Sequence, residues 1–189
     1  MKQKTEKKHV RIKLPNIVIP EGVSVDISNF LVKVNGPKGS SEREFINPRL
    51  KMEKQENKIS IKPIGKKVNK KDKMHLNSTA AHIKNMLLGV KEGYECQVKI
   101  CSGHFPITTI IEGRDIVIKN FLGEKVPRRV KLFDNINAKL TGDIITLTGN
   151  NKEKLGLMGA TLEKLTNVGK RDKTRFQDGC FIIKKPGEQ

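Results

Sequence analysis

The chain contains no tryptophan, a single tyrosine (Tyr94) and only seven phenylalanines in 189 residues. So few rings argue against a protein that grips single-stranded nucleic acid by stacking bases on an aromatic platform. Negative charge is also scarce: 20 Asp+Glu stand against 38 Lys+Arg, a formal net charge of +18. An excess of that size implies a polyanionic partner, with nucleic acid first. A membrane surface would call for a lipid anchor or an amphipathic helix with a basic face. The sequence has no Met-Gly start, no C-terminal prenylation box and no apolar run approaching about eighteen residues. Its first residues, MKQKTEKKHVRIK, lack the apolar core of a secretory signal. A soluble intracellular protein with no membrane contact is the expectation.

Cysteine is equally sparse. Cys96, Cys101 and Cys180 are odd in number and form no CxxC pair, so they read as reduced, partly buried thiols. Cys96, Cys101 and His104 are one ligand short of a structural zinc site. No metal and no cofactor are expected. Catalytic patterns are missing too. His9, His75, His82 and His104 have no Ser, Cys or Asp at motif spacing, and no GxSxG, HExxH or paired-carboxylate pattern occurs. Asn35-Gly-Pro-Lys-Gly is only a loose echo of a phosphate loop, lacking both its spacing and a following helix. His104 reads as a hydrogen-bonding residue that fixes a turn. The chain is not expected to be an enzyme.

What the chain does contain is order. Residues 1–13 form a basic polar tail. From Ile17 the pattern is of strands: Val23, Val25 and Ile27 alternate with polar residues, Ser28-Asn29 can turn, and Phe30, Val32 and Val34 alternate again. Asn35 to Gly39 reads as a loop, because Pro and two Gly break a ladder. Ser41 to Phe45 resumes a strand. Leu50–Met52 and Ile59–Ile61 make a second hairpin. Lys62 to Lys73 reads as a lysine-rich loop. Leu76, Ala80, Ile83, Leu87 and Val90 then mark one face of an α-helix, with Gly89 placed to end it.

The second half repeats the first. At an offset of 86 positions Pro20 aligns with Pro106, Val25 with Ile111, Phe30 with Ile116, Val32 with Ile118 and Lys33 with Lys119. The same offset carries Ile59 to Ile145 and Ile61 to Leu147, and Leu155, Met158, Leu162 and Leu165 supply the second helix face, with Gly169 as its stop. Identities are few, but the order of elements and the alternation recur, as in a duplicated fold. Over the helix the offset falls to 79, and the shortage is assigned to the lysine loop. The expected class is α+β: two tandem duplicated domains, each a small, mostly antiparallel sheet packed on one helix. The expected boundaries are a tail at 1–13, a first domain at 14–92 and a second at 93–189, hinged near Val90 to Gly93.

Two basic clusters share the second half. Lys119, Lys125, Arg128 and Arg129 follow the hairpin; Lys170, Arg171, Lys173 and Arg175 follow the helix. Both lie on Gly-containing loops, where backbone N–H groups can join side chains in gripping phosphates. Eight such contacts would give a log–log salt slope of about −5 to −7.

The stretch Gly93 to Arg129 carries His104-Phe105-Pro106, then a hairpin, then Asn120 to Lys125 as NFLGEK, then Arg128-Arg129. The first half has IPEGV at Ile19, VNGPKG at Val34 and HIKNMLLGVKEGY at His82; RFQDG follows at Arg175. These motifs resemble the universal large-subunit ribosomal protein family "six", in its archaeal and eukaryotic branch (the eukaryotic large-subunit protein "nine"). The resemblance runs from about Ile17 to Ile183. Where eukaryotic members often carry tryptophans before the first helix, this chain has Lys62 to Lys73.

The resemblance implies two duplicated α+β domains bound to large-subunit rRNA. It places the second near the sarcin–ricin loop and the stalk base, with neighbouring large-subunit proteins and translation factors nearby. It implies a structural role in cytoplasmic translation, nucleolar assembly if the source is eukaryotic, and no homo-oligomer. The rRNA-binding candidates are Lys119, Asn120, Gly123, Lys125, Arg128, Arg129, Lys170, Arg171, Lys173 and Arg175, with Lys66 and Lys67 in the lysine loop. The alternative is a free RNA-binding module or RNA chaperone.

Overall fold

The computed structural model describes residues 15–188 except Asn29, 66–68, His104, Lys170 and Lys173. The basic tail, Lys66, Lys67, Lys170 and Lys173 therefore lie outside the described residues. In chain order the first half holds β1 (Asn16–Val18), β2 (Ser24–Ser28), β3 (Leu31–Gly36), β4 (Gly39–Glu44), β5 (Leu50–Gln55), β6 (Lys58–Pro63) and α1 (Lys70–Lys91). The second holds β7 (Tyr94–Cys101), β8 (Thr108–Glu112), β9 (Asp115–Lys119), a 3-10 turn at Phe121–Gly123, β10 (Arg128–Lys131), β11 (Ile136–Thr141), β12 (Ile144–Gly149), α2 (Lys152–Leu165) and β13 (Gly179–Lys184).

The class is α+β, with the sheet of each half divided in two. β2-β3-β4 and β1-β6-β5 serve the first half, β8-β9-β10 and β11-β12-β7-β13 the second, and the pairings are antiparallel. β7 takes the place in its sheet that β1 takes in the first, each pairing with the second strand of the β5–β6 or β11–β12 hairpin. Among the described residues of the first half β13 has no counterpart.

The sheets form because alternate residues are apolar and bury on one face. Val32, Val34, Ile59 and Ile61 are fully buried, and so are Ile116, Ile118, Ile145 and Leu147. The helices cover those faces. The expected stripe of α1, Leu76 to Val90, is buried, joined by Met86 and Gly89. In α2, Leu155, Met158 and Leu162 are buried with Gly159. Two separate cores result, one of residues between Ile17 and Val90, the other between Cys96 and Cys180. Burial raises the Cys96 thiol pKa and pushes that of Cys180 up to about 11, which keeps both protonated and inert.

Four local readings are corrected. Asn35 to Gly39 is no open loop: β3 and β4 pair as far as Gly36↔Gly39, leaving only Pro37-Lys38 in the turn. Pro37 sits where no ladder N–H is needed, and Gly39 takes φ +118°. Lys70 to Lys73 are helical, so the 7-residue fall in offset is shared between a shorter loop and a later helix start. Gly89 does not end α1 but lies inside it. A Cβ there would meet the Asn150 carbonyl at 2.1 Å and the Tyr94 ring at 2.7 Å, and the left-handed glycine is Gly93, φ +80°. Finally, the first hairpins match at an offset of 84, not 86: Ser28 pairs with Leu31 where Glu112 pairs with Asp115. Phe30 is exposed whereas Ile116 is buried.

The expected hinge is a packed joint. Tyr94 Oη donates to the Asn85 carbonyl at 2.9 Å. Asn150, just before α2, donates to the Ser40 carbonyl at 2.7 Å. Glu153 Oε1 in the first turn of α2 accepts from Arg43 Nη1 at 2.5 Å and lies 2.8 Å from His82 Nδ1. The N-terminus of α2 thus faces the first half, and its C-terminus faces away.

Candidate nucleic-acid interface

The C-terminal end of α2 is where the basic loops of the second half meet. β9 runs out at Lys119 and the backbone winds tightly. Asn120 (φ 58°) and Leu122 (φ 49°) adopt left-handed conformations, followed by Gly123 (φ 77°). That winding costs roughly 1–2 kcal/mol for a non-glycine residue. It is offset by burial of Phe121 and Leu122, and by Asn120, whose Nδ2 donates to the Pro106 carbonyl at 3.1 Å. The Phe105 ring lies under Gly123, 3.7 Å from where a Cβ would sit. Turn backbone of this kind is where concave rows of N–H groups form.

Arg128 holds the loop down. Its guanidinium lies 4.2 Å from the Phe121 ring centroid and donates to both oxygens of Glu124, at 2.8 and 2.5 Å. Nη1 also donates to the carbonyls of Leu165 (2.6 Å) and Asn167 (3.3 Å). These are carbonyls of the kind a helix end leaves without intrahelical partners. One planar cation thereby ties the 3-10 turn, the following loop and the end of α2 together, which a lysine could not do with the same geometry. The paired guanidinium holds the Glu124 carboxyl pKa below its ordinary value, and the charge of Arg171 lowers it further. The bonds from Arg128 to the Leu165 and Asn167 carbonyls are what bring the two basic loops together.

The loop after α2 is built from its own polar groups. Thr166 is buried and accepts the Cys180 amide at 2.8 Å, tying the helix end to β13. Asp172 accepts from the Thr174 amide at 3.0 Å and its hydroxyl at 2.8 Å, forming a turn. Those bonds, the backbone one first, lower its pKa. Arg171 lies 5.2 Å from the Phe176 centroid. Asp178 accepts the Gly103 amide, binding the loop to the end of β7. A cleft of about 860 Å³ opens beside it, lined by Gly103, Asn167, Phe176 and Phe181 among others.

The described candidates divide accordingly. Lys119, Lys125, Arg129, Arg171 and Arg175 are exposed, and none takes part in an ion pair among the described residues. Asn120 and Gly123 shape the turn. Arg128 is committed inside the chain. Sequence reasoning missed Glu124 and Phe121 as the partners that hold it; the i, i+4 spacing of Glu124 and Arg128 was the one available signal. It also missed Asp172 and Asp178. The arrangement offers exposed cations, without ion-pair partners among the described residues, around a turn that Arg128 ties down, and these suit phosphate oxygens. Among the described residues no group of His, Cys, Asp and Glu could hold a metal ion.

A family model described as Ribosomal protein L6 matches residues 19–93. Over most of its length the chain is similar to the large ribosomal subunit protein uL6 of Methanosarcina mazei, 40% identical over 169 residues that cover 89% of this chain and 95% of that protein. The uL6 of Methanobrevibacter smithii is 41% identical over 169 residues, covering 89% and 94%. That of Methanocella arvoryzae is 38% identical over 174 residues, covering 92% and 97%.

Proposed function

We infer the role of the protein from the premise that the chain belongs to the ribosomal protein L6 family, in its archaeal branch: it is a structural protein of the large ribosomal subunit and not an enzyme. Its partners are rRNA and other ribosomal proteins, and its place is the ribosome. We propose that the chain works as two domains, 14–92 and 93–189, and that the second grips large-subunit rRNA near the sarcin–ricin loop and the stalk base. Translation factors and neighbouring subunit proteins lie close by in this reading, and the protein supports cytoplasmic translation. The observation that supports it is the tie that Arg128 makes between the turn after β9 and the end of α2, with Lys119, Lys125, Arg129, Arg171 and Arg175 exposed in and beside the segments it joins.

In this reading the exposed cations meet phosphates, while Asn120, Gly123 and Arg128 fix the turn that carries them. Lys170 and Lys173, next to Arg171 and near Arg175 in the sequence, join them in this reading, and Lys66 and Lys67 add a minor contact. Binding by such a surface is dominated by counterion release. The test replaces Lys170, Arg171, Lys173 and Arg175 with Ala and compares incorporation into large subunits with that of a chain carrying four changes within Met1–Lys13. The loop variant should be the more depleted from purified subunits. Equal incorporation would overturn the assignment. Retention on subunits through a high-salt wash separates this role from that of a free RNA chaperone.

A further inference from the structure

Helix α1 has a second face. Lys70, Met74, Asn77, Ala81, Lys84, Leu88 and Lys91 recur at i, i+4, i+7 spacing down its whole length, and every one is exposed. Lys71 and Lys73 lie beside this stripe and are exposed too. The helix carries five lysines and one carboxylate. That carboxylate, Asp72, is buried, accepts the Asn69 amide at 2.9 Å and lies 3.5 Å from Arg49. Hence no negative charge faces outward between Lys70 and Lys91. None of the five lysines takes part in an ion pair among the described residues. In α2, by contrast, three lysines are interleaved with Glu153 and Glu163.

Among the described residues only Lys91, in the last turn, sits where the helix dipole favours a cation. Three of the lysines sit in the first turn, at the positive end of the helix dipole, where cations are unfavourable. A local rule broken without an internal gain points to a partner outside the chain. Of the residue types that protein interfaces favour, the face has only Met74, with Leu88 exposed further along it. It has no aromatic residue and no Arg, and it is rich in Lys, which such interfaces avoid. Spaced point charges along 22 helical residues, about 33 Å, match a row of phosphates instead. That length is close to one turn of a duplex, about 34 Å in B-form DNA. The surface is distinct from the one described above, since α1 ends at the joint with the N-terminal side of α2, and the cationic loops lie at the other end of α2.

We propose that the outward face of α1 is a second rRNA-binding surface, which lays Lys70, Lys73, Lys84 and Lys91 along the phosphates of a duplex segment. The inference rests on the reading of the chain as a large-subunit rRNA-binding protein. Its test is the salt dependence of the affinity of the full chain for purified large-subunit rRNA. One variant carries Lys70→Gln, Lys73→Gln, Lys84→Gln and Lys91→Gln; a second carries only Lys84→Gln and Lys91→Gln, away from the helix start; a third carries Lys125→Gln and Arg129→Gln. Glutamine keeps helix propensity, and circular dichroism checks the fold. The fourfold variant should lose about 3 from the log–log slope and the twofold α1 variant about half of that, with affinity near 150 mM salt down about tenfold for the former. Unchanged slopes in both α1 variants, with the third variant weakened, would overturn this surface and leave the reading of the second half standing. Unchanged binding in all three would overturn both.

Discussion

The two halves close the end of their helix in different ways. In the first, β3 and β4 are linked by Pro37-Lys38 alone, and the Lys38 amide donates to the Val90 carbonyl at 3.0 Å. In the second, the link from β9 to β10 runs from Asn120 to Pro127, and the Arg128 guanidinium reaches the Leu165 and Asn167 carbonyls. Both satisfy carbonyls that a helix end leaves open. A backbone amide does so only by bringing the chain hard against the helix. That leaves a flat end, with Gly36 against Val90 and Gly89 against Asn150, onto which the second half packs. A guanidinium on a long side chain does so at a distance and holds a wide loop open. The same end of one fold thus serves as a joint in one copy and as a cationic surface in the other.

The largest effect expected is common to both halves. Ile83 and Leu162 occupy equivalent positions and are fully buried. Changing either to Ala should cost about 3 kcal/mol, read by urea denaturation. If the joint couples the cores, each variant moves one shared transition; two separable transitions would show the halves to be independent. A smaller and opposed pair tests the joint itself. Gly89→Ala should destabilise by about 2 kcal/mol, because strain against the Asn150 carbonyl outweighs the gain in helix propensity. Gly156→Ala in α2 meets only Pro186 at 3.8 Å and should stabilise by up to about 1 kcal/mol. A loss at both sites would mean that propensity arguments fail here for a reason other than contact.

Arg128→Ala should cost about 1–2 kcal/mol by leaving the helix carbonyls and Glu124 unpaired. It should also weaken rRNA binding more than its own charge explains, since the loop would lose its anchor. Arg128→Lys should not restore either, whereas replacement of the exposed neighbour Arg129 should leave the melting temperature within about 1 °C. The smallest effect is electrostatic. Arg128 lowers the pKa of Glu124 from its ordinary 4.5. A carboxyl lowered in the folded state adds stability that is complete above the unfolded value and lost as pH falls through the folded one. The advantage of the wild type over Glu124→Gln, less than about 1 kcal/mol for a pair this exposed, should therefore be full above pH 4.5 and fade below it. An advantage that persisted at pH 2 would show that the contact is packing and not charge.

Much of this was legible because it is local and periodic. The helix faces of Leu76–Val90 and Leu155–Leu165, the alternation of Val32-Val34 and Ile116-Ile118, and the duplication itself follow from side-chain spacing along the chain. The errors have the same origin. Shifting a hairpin by two residues leaves its alternation unchanged, so the offset of 86 looked as good as the true 84. Glycine was read as a stop at position 89, where it is required by a carbonyl 61 residues further on. The joint could not be seen at all: Arg43 and Glu153 are 110 residues apart, and no periodicity links them.

By itself the sequence determined the α+β class, the repetition, the excess of positive charge and the family. These depend on residue type and spacing, which folding does not alter. Only the tertiary structure decided which of those charges are free. Arg128 and Arg129 are adjacent and look alike in the sequence, but successive side chains of a strand point to opposite sides. In β10 that places one guanidinium against Phe121 and the end of α2, where it is consumed in holding the loop, and leaves the other in solvent. The hairpin and basic loop look like one binding element in the chain. In the fold they divide into a support and the surface it holds.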